Sequence, residues 1–259
     1  MSQIYTVKHR TLAFLFASAS MMLLRAQSFK PCSPFGGEPA VKTFLEQEMR
    51  FPEAELEKGT KGSVFLIFSV MSTGDLRDLR IWRSLTPACD VEALRLGRLV
   101  RWHPATVADT PNDAEHYLEV PFDPKRYMRA MEARRCLVDT RTTADTSLNI
   151  ADHLHVEVQP TPDVPGGMKG LPTYMGANLR YPESAYKRDL QGTVKLDFVV
   201  ETSGNISNMR ATEELGGGCT EEAMRLVRTM CWRPAEKNGQ RVRCTQHVEI
   251  QFKLVPRDR

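Results

Sequence analysis

The chain has 259 residues, 41% hydrophobic and 26% charged, an ordinary balance for a soluble globular protein. Its formal charge of +3 comes from the first 26 residues, where Lys8, Arg10 and Arg25 meet no acid; without them the balance is 3 − 3 = 0. That neutrality argues against a general nucleic-acid binder, and the absence of G-x-S-x-G, H-E-x-x-H and P-loop patterns argues against an enzyme.

Lys8-His9-Arg10 precedes an apolar run of 14 residues, Thr11 to Leu24, followed by Arg25-Ala26-Gln27. This is the layout of a secretory signal peptide, and the run is short of the ~20 residues a membrane-spanning helix needs. The preferred reading is export with cleavage after Ala26, although Leu24 and Arg25 suit the cut poorly; the alternative is a short uncleaved anchor. Export makes the six cysteines candidates for disulfides. No C-x-x-C pair supports a zinc ribbon or a thioredoxin-like site, and no metal or cofactor is expected.

After Ser33–Gly37, Pro39 at a first helical position and Val41, Phe44, Leu45 and Met49 at helical spacing predict an amphipathic helix. A second short helix follows Phe51-Pro52. Ser63 to Val70 alternates, with Val64, Leu66, Phe68 and Val70 on one face; Phe65 and Ile67 on the other suggest a cover there, from a neighbouring module. Ser72-Thr73-Gly74-Asp75 turns a hairpin into a return strand, Leu76 to Ser84. Asp90 is the expected cap of a helix over Val91–Val100. Arg101-Trp102 and a strand from Tyr117 to Phe122 close the unit. Asp123 then caps a basic helix bearing Lys125, Arg126, Arg129, Arg134 and Arg135, read as a solvated face. Thr140 to Pro165 reads as a linker with a short strand at His153 to Val158, whose alternation would place His153 and His155 on one side as surface histidines.

The rest repeats the first plan. Arg50-Phe51-Pro52-Glu53 matches Arg180-Tyr181-Pro182-Glu183, an offset of 180 − 50 = 130, and the same offset pairs Gly62 with Gly192, Gly74 with Gly204, Cys89 with Cys219, and Trp102 with Trp232. Such a period exceeds that of a solenoid repeat and suits a small domain. Within the second copy, Pro182 starts a helix; Val194, Leu196, Phe198 and Val200 form an inward strand face; Thr202 to Asn205 turns; Ile206 to Glu213 returns. Thr220 is the expected cap of a helix with Glu221 and Glu222 at its start and Arg225 and Arg228 toward its end, which complements the macrodipole.

The last strand alternates from Val242 to Leu254. Val242, Cys244, Val248, Ile250, Phe252 and Leu254 face inward with Gln246 as the exception, and Arg243, Thr245, His247, Glu249, Gln251 and Lys253 face out. It is longer than either partner strand, which predicts a margin without a partner, a template for an added strand. The first copy is the poorer candidate: Pro121 stands where the second has Gln251, and the run from Thr106 to Asn112 lacks the Asn238-Gly239 turn signal. Cys231 and Cys244 flank that turn, which makes a bridge from Cys244 to Cys231 or Cys219 a candidate, against small buried thiols.

The order and spacing of Tyr181-Pro182-Glu183, Gly192-Thr193-Val194, the Thr202–Asn205 turn with Gly204, Gly216-Gly217-Gly218-Cys219, and Trp232-Arg233-Pro234 resemble the TonB C-terminal domain. The resemblance covers Val164 to Leu254 strongly and Pro34 to Phe122 weakly. It implies an α+β protein with two copies of one module, each a three-stranded antiparallel sheet packed on helices. The boundaries are 1–26 for the leader, 34–122 for the first module, 123–163 for basic helix and linker, and 164–254 for the second module. It further implies a periplasmic protein whose final strand, Val242 to Lys253, pairs with the N-terminal TonB-box peptide of outer-membrane transporters. Only Gln27 to Phe35 separate the apolar run from the first module, about 30 Å when extended. That span is short for a transducer crossing the periplasm. An anchored TonB energy transducer is therefore the alternative, and an envelope scaffold that dimerises through the same edge is the alternative of another class.

Overall fold

The computed structural model describes residues 28–133 and 141–254. The leader, Arg134 and Arg135 lie outside them. Among the described residues no helix is long and apolar enough to cross a membrane.

The first module runs through α1 (Gly37–Glu48), α2 (Glu53–Glu57), β1 (Gly62–Val70), β2 (Leu76–Arg83), α3 (Pro87–Leu99) and β3 (Ala114–Phe122). Its three long strands form an antiparallel sheet in the order β2-β1-β3. Val64, Leu66, Phe68 and Val70 alternate onto the inner face and are fully buried with Phe44, Ala93, Leu96 and Trp102. Gly36 enters α1 in the left-handed region, φ 79°. α3 begins earlier than expected: Thr86 caps it, accepting from the Cys89 N–H at 3.3 Å. Asp90 instead accepts from Ser84 Oγ and the Leu85 N–H, which ties the preceding loop to the helix. On the outer face, Phe65 is flanked by side chains of its own sheet, and Ile67 is buried. Trp82 lies 6.0 Å from Phe65 and 5.3 Å from Tyr117, and Trp82 and Tyr117 are both exposed.

α4 (Pro124–Ala133) follows, with Asp123 accepting from the Arg126 N–H at 3.1 Å as its cap. The linker forms no strand at His153–Val158. Thr143–Ala144 and Ile150–Ala151 make two-residue ribbons, and His153–His155 is a single 3₁₀ turn capped by Asp152. His153 and His155 are therefore not set side by side by strand alternation.

The second module has α5 (Gly167–Asn178), α6 (Glu183–Tyr186), β4 (Gly192–Val200), β5 (Ile206–Glu213), α7 (Cys219–Arg228) and β6 (Gln240–Phe252). Gly218, at φ 84°, caps α7; Thr220 lies inside the helix and its hydroxyl bonds back to Leu215. β4 lies between β5 and β6. The repeat holds in physical detail. Gly62 pairs with Phe122 and Gly192 with Phe252. The Arg50 N–H donates to Glu92, and the Arg180 N–H to Glu222, both at 2.7 Å. Phe68 meets Trp102 and Phe198 meets Trp232, each at 5.0 Å. The left-handed residues Asp78 and Asn208, at φ 57° and 53°, sit in matching bulges.

The two copies are docked through polar contacts of the β4–β5 hairpin. Asn208 Nδ2 donates to Leu99 O at 3.0 Å, and the Arg101 N–H donates to Asn208 Oδ1 at 2.7 Å. Ser203 Oγ and Asn205 Nδ2 both donate to Glu48 at the end of α1.

Candidate functional site

β6 has 13 residues against the nine of β4, so four must find partners elsewhere. They find them within the chain. Ala235–Lys237 pairs antiparallel with Gln240–Val242, and Thr143–Ala144 pairs parallel with Gln240–Arg241. Ile150–Ala151 pairs with Arg243–Cys244 on the margin opposite β4. Cys244 thus stands between Val200 and Ala151. Val242, Arg243 and Cys244, expected in an open edge, already belong to a closed ladder. The reason is length: the strand outruns its sheet, and the linker satisfies the surplus backbone groups.

From Thr245 to His247 the cover is made by side chains. Thr245 Oγ1 donates to Ala151 O at 3.4 Å, and Gln246 Nε2 to Pro160 O at 3.3 Å. The inward Gln246 is thereby satisfied, and it reaches Met168 Sδ at 3.7 Å. His247 Nε2 meets His153 Nε2 at 3.2 Å. Beyond it the ladder is one-sided. Val248, Glu249, Ile250, Gln251 and Phe252 pair with β4, and no second strand lies along them among the described residues. Val248, Ile250 and Phe252 anchor this half in the core, and Glu249, Gln251 and Lys253 are exposed. Lys195 Nζ stands 3.0 Å from Glu213 and 3.9 Å from Glu249, a polar outer face in place of the aromatic one of the first module.

Arg243 departs from the outward face predicted for it. Its side chain is 5% exposed and forms a pair with Glu201, 3% exposed, at 2.7 Å. Arg243 also donates to Leu148 O at 2.9 Å and to Leu99 O of the first module at 3.2 Å, and Ser207 donates to the same Glu201. Burial pushes the Glu201 carboxyl up, against the pull of Arg243 and the Ser207 hydrogen bond. The pair is where hairpin, last strand, linker and first module meet. Its signal in the sequence is a double departure from the repeat: Met71 and Asp113 occupy the equivalent positions.

The family-motif residues frame the edge and do not line it. Tyr181 donates its hydroxyl to Leu190 O at 2.5 Å and lies edge-on to Phe252 at 5.7 Å. The Pro182 carbonyl accepts from the Ala185 and Tyr186 N–H groups, starting α6. A Cβ on Gly192 would stand 3.0 Å from Leu215. Gly204 turns the hairpin at φ 80°. Trp232 and Pro234 are buried beside the hairpin that feeds β6. Cys219 and Cys244 are free, fully buried thiols, so Cys244 bridges neither Cys231 nor Cys219. They sit in separate apolar clusters, Cys219 at the start of α7 and Cys244 with Ala235 and Val242. Burial pushes the Cys244 thiol up to about 11.

The family model described as Gram-negative bacterial TonB protein C-terminal matches residues 47–124 and 177–254. No curated protein matches the chain. Among solved structures, the NMR solution structure of Helicobacter pylori TonB-CTD (residues 179-285) is similar at 14% identity, over 33% of this chain and 78% of that one, with a TM-score of 0.26.

Proposed function

Because the chain belongs to the TonB C-terminal family, a non-enzymatic one, and holds two copies of its domain, we propose that it works in the periplasm as a TonB-like protein that takes up the N-terminal TonB-box peptide of an outer-membrane transporter as an added strand, in service of energy-coupled transport. The observation that carries this reading is the one-sided ladder of Val248 to Phe252. A peptide laid there would complete the backbone hydrogen bonds, and Glu249, Gln251 and Lys253 would set register and choice. Arg243 to His247 lie under the linker and serve to hold the strand in place.

Gln251→Pro tests the reading. Pro121 occupies the equivalent register opposite Ser63, as Gln251 does opposite Thr193, so the fold accepts proline there. Calorimetric titration of a TonB-box peptide into the full chain should show about a tenfold loss of affinity, one backbone hydrogen bond's worth. Unchanged affinity would remove the proposal.

A second reading has its own observation. β3 also has no strand along its margin away from β1 among the described residues, over Ala114–Phe122. If the first module takes the peptide, Glu119→Pro and not Gln251→Pro weakens binding.

A further inference from the structure

We propose that His153 and His247 form a binding site for one divalent late first-row cation, such as Zn²⁺ or Cu²⁺, that fastens the linker to the last strand. Their Nε2 atoms stand 3.2 Å apart, with the rings perpendicular at 90° and their centroids at 4.4 Å. Two imidazole nitrogens on one tetrahedral Zn²⁺, each bonded at ~2.0–2.1 Å, are separated by about 3.3 Å. The far nitrogens also face the right chemistry. His247 Nδ1 lies 3.5 Å from Asp197 Oδ1, and His153 Nδ1 lies 3.3 Å from Asp152 Oδ1. A carboxylate near the far nitrogen is the usual surrounding of a metal-binding imidazole. The two Nε2 atoms face each other, so a cation placed between them would be held by both rings. His153 Nδ1 is buried without a hydrogen bond in line, and Asp152 is the anion beside it.

Imidazole pairs suit Zn²⁺, Cu²⁺ and Ni²⁺ and not Mg²⁺ or Ca²⁺. No group of three or more metal-binding side chains occurs among the described residues, so water would complete the coordination. The His247 side chain is 54% exposed, which leaves an approach for the ion. The first module has no counterpart of this site, since Tyr117 and Ile67 occupy the positions equivalent to His247 and Asp197. It also joins residues 94 positions apart, at the boundary between the covered and one-sided halves of β6. This inference stands independently of peptide uptake.

Calorimetric titration of Cu²⁺, Zn²⁺ and Mg²⁺ into the full, untagged chain tests it. One equivalent should bind, Cu²⁺ more tightly than Zn²⁺, with no Mg²⁺ binding. His153→Asn and His247→Asn should each lower affinity more than about tenfold, Asp197→Asn by about tenfold, and His155→Asn not at all. Electron paramagnetic resonance of the Cu²⁺ form should show coupling to two imidazole nitrogens, a readout that needs no variant. Undiminished binding by the His153→Asn/His247→Asn double variant, or a Cu²⁺ spectrum without imidazole nitrogen, would overturn the site.

Discussion

Cysteine chemistry is decided residue by residue, through burial. Cys32, Cys89, Cys219 and Cys244 are free and buried, and desolvation pushes all four thiols up. Thiolate is the reactive form, so these side chains should resist alkylation at mildly alkaline pH until denaturant is added, as read by mass spectrometry of labelled peptides. Glu92 pairs with Arg95 and Glu222 with Arg225, both at 2.7 Å, with a consequence for acid stability. In the second copy, the Arg225 hydrogen bonds, followed by the Arg180 N–H, hold the Glu222 carboxyl below its ordinary value. A depressed carboxylate stabilises the fold above its unfolded value near pH ~4.3, and that contribution is lost as pH falls through the folded value. Glu222→Gln should cost about 1–2 kcal/mol near neutral pH. The gap from the unaltered chain should close in acid, as followed by urea melts across pH.

At the scale of elements, alternation made the long strands legible. Val194, Leu196, Phe198 and Val200 face the core as their period demands. Caps misled: α3 starts at Pro87, whose missing N–H suits a first helical position, so Thr86 and not Asp90 caps it. The first-copy hairpin lacked a sequence signal, yet Ala105–Val107 and Thr110–Asn112 pair. Ala108 and Asp109 adopt φ 50° and 63°, the left-handed pair that Asn238 and Gly239 adopt at 51° and 72°. Tertiary pairing imposed that turn on residues that disfavour it. Replacing Ala108-Asp109 by Asn-Gly should therefore stabilise the chain by about 1 kcal/mol, seen as a raised Tm.

For the whole molecule, the sequence carried the duplication, and it was silent on docking. Arg243 reads as one more outward residue on an alternating strand. Only the fold shows that its face at that point is covered by Leu99 and Leu148. The linker was equally opaque, because two-residue ribbons and a 3₁₀ turn leave no periodic trace. Arg243→Met should cost about 3–5 kcal/mol by stranding Glu201 in the interior, and adding Glu201→Met should recover much of it. Both follow from denaturant melts of the full chain.

Backbone amide hydrogen exchange with and without a TonB-box peptide bears most directly on strand uptake. Slowed exchange confined to Val248–Phe252, with Ala114–Phe122 unchanged, is the predicted result. Exchange at Val248–Phe252 that is indifferent to saturating peptide would contradict it.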